Sequence, residues 1–166
     1  GQSVTGGANT AMGLEAGQSV KGVSNLALGS SAGQGVYGDG NIAQGFMAGN
    51  SVRGLKSTDS AQYNIAIGGI SGNDVQGDKN IAMGMYSGSD VQGQNNIGIG
   101  TSAARMVVGD NNTGVGQSSG GTVTGDYNAA LGALAGNHVT GDQNTSIGSS
   151  AGYFTIGNKN FAGDRK

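Results

Sequence analysis

The chain has 166 residues, enough for one domain, and 36 of them are glycine, roughly three times the usual ~7% share. Because it contains neither cysteine nor proline, disulfide frameworks, thiolate zinc sites and collagen helices are excluded. The net charge of −2 and only eight scattered Lys and Arg residues do not support nucleic-acid binding, and no apolar run reaches the ~18 residues of a membrane span.

A sixteen-residue repeat, G-x-x-V-x-G-x-x-N-x-A-x-G-x-x-A, fills the chain up to Asn160. The sixth position is glycine and the ninth is asparagine in all ten units, and the fourth is valine in nine of them. The units begin at Gly1, Gly17, Gly33, Gly49, Gly72, Gly88, Ala104, Gly120, Gly136 and Gly152. The fourth unit alone is longer, because Leu55 to Tyr63 fills nine residues where the other units have two.

Each unit predicts two short strands in chain order, the first around x-x-V-x-G and the second around N-x-A-x-G. The second strand alternates large and small residues, as in Asn64 to Gly68, which is the period of a β-strand rather than of a helix. Glycine and asparagine tolerate the positive φ angles of tight corners between strands. Residues 1–166 are therefore predicted to form one all-β domain, a parallel β-solenoid (β-roll) of about ten 16-residue coils.

The two faces of the second strand differ in size. One face carries only alanine, glycine or serine, and the other face is aliphatic. The aliphatic set is Leu26, Leu28, Ile42, Ile65, Ile67, Ile81, Met83, Ile97, Ile99, Val115, Leu131 and Ile147. Since a narrow lumen accepts only the small face, we expect the aliphatic face to point outward and to be covered by further copies of the chain. In the alternative interpretation, the aliphatic side chains fill a wider lumen.

The polar residues of the repeat are predicted to have structural rather than catalytic or metal-binding roles. The invariant asparagines are expected to stack into an amide ladder. The aspartates of the Gly-Asp-x-Asn corner could indicate a calcium-binding β-roll. The nine-residue G-G-x-G-x-D repeat of such rolls is missing from the sequence, so we interpret these aspartates as solvent-exposed turn residues. These aspartates are Asp39, Asp78, Asp110, Asp126 and Asp142. No catalytic set forms around His138, the only histidine, so we predict no enzyme activity, no catalytic residue, no metal and no cofactor.

The strings Asn41-Ile42-Ala43-Gln44-Gly45, Asn64-Ile65-Ala66-Ile67-Gly68 and Asn80-Ile81-Ala82-Met83-Gly84 resemble the N-S-V-A-I-G motif of YadA-like heads. These are head domains of trimeric autotransporter adhesins of Gram-negative bacteria. The resemblance spans all ten units, although the aliphatic residue follows asparagine directly here and the family repeat is commonly shorter.

The resemblance implies a left-handed parallel β-roll that forms a homotrimer through the aliphatic face. It also implies a cell-surface fragment of a longer adhesin, exposed outside the outer membrane, that takes part in virulence. Such a head attaches to host extracellular-matrix proteins or host cells by multivalent, non-enzymatic binding, and this segment does not insert in the membrane. Similar repeats form shafts of phage tail fibres, which leaves a structural shaft as the alternative.

The insertion at 55–63 is the best local candidate for specific binding, since a loop that protrudes from a regular rod offers a distinct binding surface to a partner. Its candidate residues are Arg53, Lys56, Asp59 and Tyr63. Two alternatives are a tolerated surface insertion and a loop that folds onto a neighbouring subunit and fixes its register.

Overall fold

A computed structural model describes residues 3–55 and 60–163, and within these residues the chain is all-β without any helix. The strands are β1 (Thr10–Met12), β2 (Leu26–Leu28), β3 (Ile42–Gln44), β4 (Ile65–Ile67), β5 (Ile81–Met83), β6 (Val91–Gln92), β7 (Ile97–Ile99), β8 (Met106–Val108), β9 (Thr113–Val115), β10 (Thr122–Thr124), β11 (Ala129–Leu131), β12 (His138–Thr140), β13 (Thr145–Ile147), β14 (Phe154–Ile156) and β15 (Phe161–Gly163).

These strands stack into two parallel sheets. One sheet has ten strands in the order β1-β2-β3-β4-β5-β7-β9-β11-β13-β15, and the other has five in the order β14-β12-β10-β8-β6. Register advances by one coil at each pairing, so that Ile65 is opposite Ile81 and Ile81 is opposite Ile97. In the earlier coils the second sheet continues as single bridges, such as that between Lys21 and Tyr37. The predicted β-solenoid is confirmed, with about nine turns.

The small residues of the ten-stranded sheet face the lumen. Ala66 and Ala82 are buried at the centres of β4 and β5, and the fourth-position valines of the opposite wall, such as Val75 and Val91, are buried with them. The flanking positions of each strand are half-buried or exposed instead. This orientation confirms the narrow lumen and excludes the alternative in which aliphatic side chains fill it.

The invariant asparagines form a continuous buried ladder. The backbone N–H and the Nδ2 group of Asn96 both donate to Oδ1 of Asn80, at 2.9 and 3.1 Å. The same Nδ2 group donates to the carbonyl oxygen of Gly109 in the next coil at 2.9 Å. Asn96 therefore ties three successive coils, and no buried side-chain polar atom in the described ranges lacks a partner.

The first repeat position packs against the small strand residue of the same wall. Gly88 has φ of +55°, and a Cβ built on it would lie only 2.6 Å from the Cβ of Ala82. In the coil where Ala104 replaces this glycine, the facing strand residue is Gly98 instead of alanine. A Cβ on Gly98 would lie 3.0 Å from the Cβ of Ala104. The two departures from the repeat therefore compensate each other.

The lumen is wider at one end of the rod than at the other. A cavity of about 290 Å³ extends through the coils that precede Ala104, lined mainly by alanine, valine, glycine and asparagine. Beyond Ala104 the corresponding cavity is only about 10 Å³. Ala104 lines both cavities, so its methyl group lies at the boundary between them.

The insertion leaves and rejoins the coil at positions that the repeat alone does not reveal. Arg53 keeps its bridge to Gln76, while Ala61 takes the place that glycine holds in the other coils. The carbonyl oxygen of Ala61 accepts the Nδ2 bond of Asn41, as Gly38 does for Asn25. The seven extra residues are therefore 54–60, and Tyr63 belongs to the regular corner.

Candidate interaction surface

Two columns of side chains point outward from the ten-stranded sheet. The first residue of each strand forms one column and the third residue forms the other, because the pairing is in register from β1 to β15. All twelve aliphatic residues predicted from the sequence lie in these columns, which we call the aliphatic stripe. Leu26, Ile42, Ile65, Ile81 and Ile97 lie in the first column, and Leu28, Ile67, Met83, Ile99, Val115, Leu131 and Ile147 lie in the second.

The aliphatic stripe is partly open to solvent in the single chain. Ile99 is 40% exposed and Leu131 is 52% exposed, while the other members range from half-buried to exposed. The twelve residues lie on eight successive strands of the sheet, from β2 to β13, and at about 4.8 Å spacing these make the stripe ~34 Å long. Met83, Ile99, Leu131 and Ile147 are each at least 39% exposed, and such a row of exposed aliphatic side chains is typical of an interaction surface rather than of the scattered apolar residues of a monomer.

The sequence prediction missed two apolar residues at the ends of the columns and the polar or small residues that interrupt them. Met12, 70% exposed, and Phe161, 73% exposed, occupy column positions at the two ends of the sheet. Both residues could have been identified from the sequence, because they occupy the same repeat positions as the other residues of the two columns. Gln44 is an exposed polar residue of the second column between Leu28 and Ile67, and the first column is not aliphatic in β9, β11 and β13, where it holds Thr113, Ala129 and Thr145.

A second apolar surface adjoins the stripe at the corner that follows β3, β4 and β5. We call it the apolar corner, and its residues are Phe46, Met47, Ile70, Met85 and Tyr86. The backbone N–H of Ile70 donates to the carbonyl oxygen of Phe46 at 2.8 Å, and Phe46, Met85 and Tyr86 are exposed. Sequence reasoning missed this surface, although its repeat positions carry serine in other coils, at Ser30, Ser31, Ser102, Ser118, Ser149 and Ser150.

Ile70 has an unfavourable backbone conformation for its residue type. Its φ is +57°, in the left-handed region where a β-branched side chain is a rare outlier. The equivalent corner residues Ser102 and Ser118 have the same conformation with a small polar side chain. Isoleucine at this position is therefore not explained by the local backbone.

The candidate residues of the insertion lie in different settings. Arg53 is half-buried in the wall of the second sheet, where it bridges to Gln76. Tyr63 is 58% exposed in the corner column, and its ring lies against Gly40. Lys56 and Asp59 lie outside the described residues.

The corner aspartates make hydrogen bonds along the rod. Oδ1 of Asp126 accepts the backbone N–H of Asp110 at 2.8 Å, and Oδ1 of Asp142 accepts that of Asp126 at 2.9 Å. These bonds give each carboxylate a role in joining successive coils. Among the residues described, no group of three or more His, Cys, Asp or Glu side chains could hold a metal ion.

His138 packs in an aromatic cluster near the end of the second sheet. Its ring stacks on Phe154 at 4.8 Å between centroids and lies 5.3 Å from Tyr153. His138 and Phe154 are both exposed and are opposite each other in β12 and β14. The histidine thus contributes to packing on the outer surface of the rod.

Within the described ranges, no helix has the length and apolarity needed to cross a membrane. Comparisons with protein-family models, with curated proteins and with solved structures find no match.

Proposed function

We propose that this chain is a segment of a rigid homotrimeric rod that acts as a non-enzymatic adhesive head on the surface of a Gram-negative bacterium. The aliphatic stripe is the single observation that carries the assembly. It is long and partly exposed, its second column is apolar without interruption from Ile67 to Ile147, and a second copy of the chain offers an apolar surface of the same length and spacing.

Three-fold symmetry suits the two-column geometry of the stripe. Around an axis parallel to the rod, each protomer has two neighbours, so each column can contact a different one. Equivalent coils then lie at the same height, and residues such as Ile97 and Ile99 form a layer of six isoleucines around the axis. Burial of each such side chain stabilises the assembly by about 1–2 kcal/mol, since each is already partly covered in the single chain.

The surfaces that remain outside such a trimer suit multivalent attachment. The outer face of the second sheet presents a repeated column of exposed residues, polar at Gln92, Thr124 and Thr140 and apolar at Val108 and Ile156. Three copies of a repeated shallow surface gain avidity where single contacts are weak. Together with the resemblance to YadA-like heads, this supports host extracellular-matrix proteins or host cell surfaces as partners.

A structural shaft of a phage tail fibre or another surface fibre is the second candidate. The observation that favours it is regularity, because about nine turns contain a single insertion, at 54–60. A shaft needs the same stacking and the same assembly but no receptor surface.

Binding to immobilised collagen, fibronectin and laminin distinguishes the two. An adhesin should bind at least one of them saturably, and the monomeric variant Ile99→Asp should lose most of the apparent affinity with its avidity. Signals that stay at background for all three proteins and for host cells would overturn the adhesive role and favour the shaft. The variant Thr124→Asp leaves the stripe intact and should stay trimeric, so it controls for the added charge in sedimentation, while a loss of binding by this variant would assign the adhesive contact to the outer face of the second sheet.

A further inference from the structure

The part of the lumen that precedes Ala104, which we call the wide lumen, is an internal space with an apolar lining. Its volume is about 290 Å³, and its lining repeats from coil to coil, with alanine on one wall and valine on the other, as at Ala66 and Val75. Both of these side chains are buried. The wide lumen extends from the coil of β1 to that of β7, and these five spacings of about 4.8 Å make it about 24 Å long.

One backbone position distinguishes the coils of the wide lumen from the later coils. The third repeat position, directly before the lumen-facing residue, has a positive φ in the coils of the wide lumen. These residues are Ser3, Ser19, Gly35, Ser51, Asp74 and Asp90. In the later coils the same position is the first residue of a strand, at Met106, Thr122, His138 and Phe154. Glycine and aspartate tolerate a positive φ, whereas bulky and β-branched residues rarely adopt it, so the change of backbone that accompanies the change of lumen width is encoded in the sequence.

Water finds few hydrogen-bond partners in the wide lumen. Its polar lining consists mainly of asparagine side chains, and the ladder already uses them. Nδ2 of Asn80 donates to Oδ1 of Asn64 at 3.1 Å and to the carbonyl oxygen of Gly93 at 2.9 Å, while its Oδ1 accepts two bonds from Asn96. Because a buried water needs about two to four polar partners, such a lining favours a dry cavity that takes up apolar guests.

We propose that the wide lumen binds one straight-chain hydrocarbon of about eight to twelve carbons. An apolar cavity of about 150 Å³ holds benzene, which has six carbons, so a volume of about 290 Å³ suits roughly twelve. An extended chain of twelve carbons is about 15 Å long and therefore fits within the wide lumen. A compact ring fits less well, because the volume is spread over five coil spacings rather than concentrated in one.

The site does not depend on the proposed trimer, since the lumen lies within a single chain. The methyl groups of residues such as Val52 and Val75 border the empty space, so they lack neighbouring atoms on that side. A bound hydrocarbon supplies these contacts and should stabilise the folded coils by dispersion attraction.

Refolding in the presence of n-octane tests the site. Because the lining residues are buried, the chain is unfolded in urea and refolded in buffer saturated with ¹³C-labelled n-octane. Bound octane should show nuclear Overhauser contacts to the methyl groups of Val52 and Val75. It should also raise the urea midpoint, since a ligand that binds only the folded state stabilises it. Cyclooctane is the matched control, because it places eight carbons in a compact ring, and at equal concentration its shift should be at least threefold smaller.

Added methylene groups test whether the space is empty. The double variant Val52→Ile/Val75→Ile places two of them in the wide lumen. It should keep or raise the urea midpoint of the wild type and bind octane at least tenfold more weakly. The matched control is Val123→Ile/Val139→Ile, which adds the same groups where a cavity of only about 10 Å³ remains. This control should lower the urea midpoint by overpacking and leave octane affinity unchanged. Equal destabilisation by the two pairs would show that the wide lumen is already filled and would overturn the proposal.

Octanoate distinguishes a neutral hydrocarbon from an acyl chain with a charged end. It should bind at least tenfold more weakly than octane, because the lining offers no free donor to a buried carboxylate. Equal affinity would mean that the end of the chain lies in water, and would overturn an internal site. Octane contacts restricted to the aliphatic stripe, or an equal shift of the urea midpoint by cyclooctane, would also overturn it.

Discussion

Replacement of Gly98 by alanine tests how the lumen wall is packed. A Cβ at position 98 would lie 2.7 Å from the carbonyl oxygen of Ala103, 2.8 Å from Oγ of Ser87 and 3.0 Å from the Cβ of Ala104. Two of these separations join the new atom to side chains and one joins it to backbone, so the strand must shift by several tenths of an ångström.

The expected loss is about 1–3 kcal/mol of unfolding free energy, the usual range for an overpacked interior. Ala104→Gly on its own should be nearly neutral. It removes a buried methyl worth about 1 kcal/mol, and it relieves an alanine with φ of +45°, which costs a similar ~1–2 kcal/mol. The double variant recreates the alanine and glycine arrangement of Ala82 and Gly88, and should recover about 1–2 kcal/mol of the loss.

Urea unfolding followed by circular dichroism measures the free energy of unfolding of the wild type, the two single variants and the double variant, all at one fixed protein concentration. Gly69→Ala is the matched control, because a Cβ at position 69 has no atom within 4 Å and alanine occurs at the same repeat position in Ala133. The control should be within about 0.5 kcal/mol of the wild type. If Gly98→Ala is equally harmless, or if Ala104→Gly recovers nothing, the compensation inferred between positions 98 and 104 is wrong.

Three other substitutions test the ladder and the stripe. Asn96→Ala should lower the free energy of unfolding in urea by about 2–5 kcal/mol, because Asn112 and the carbonyl oxygen of Gly109 lose their hydrogen-bond partner. A loss below about 1 kcal/mol would show that the asparagine ladder contributes little to stability. Ile99→Asp should convert the assembly to monomers in sedimentation, because an unpaired charge would be buried, whereas the exposed Thr124→Asp should not; equal behaviour of the two variants would contradict the proposed interface. Gln44→Ile should raise the dissociation temperature by a few degrees, since it extends the aliphatic column, and a lower temperature would place Gln44 outside the apolar contact.

The repeat was enough to predict the solenoid, because each coil must satisfy the same constraints at the same positions. Alanine at the centre of β4 indicated a narrow lumen, and the invariant asparagines indicated the ladder, since only small and amide side chains fit those places. Both follow from period and side-chain size, which are local properties of the sequence.

Other features depend on contacts between coils and could not be derived from one unit. The repeat aligned Gly54 with the corner glycines, whereas Ala61 takes that place, because the chain rejoins the coil where Asn41 needs a carbonyl acceptor. The compensation between Gly98 and Ala104 is likewise invisible until the corner and the strand are seen to touch. The apolar corner was missed because its five residues are spread over three units of the sequence.

The extent of the two sheets also differs from the uniform pattern of the repeat. The same repeat position forms regular strands such as β8 and β10, yet only isolated bridges at Lys21 and Arg53. The residue before the valine differs between these coils. Ser19 and Ser51 have φ of +56° and +57°, which ends the extended backbone there, whereas Met106 and Thr122 are the first residues of β8 and β10.

The mass of the assembled protein in solution decides whether the chain forms the proposed trimer. Sedimentation equilibrium over a range of concentrations should give a single species of three times the chain mass of 16.2 kDa. A folded species at the mass of one chain, with the aliphatic stripe left in water, would contradict the account.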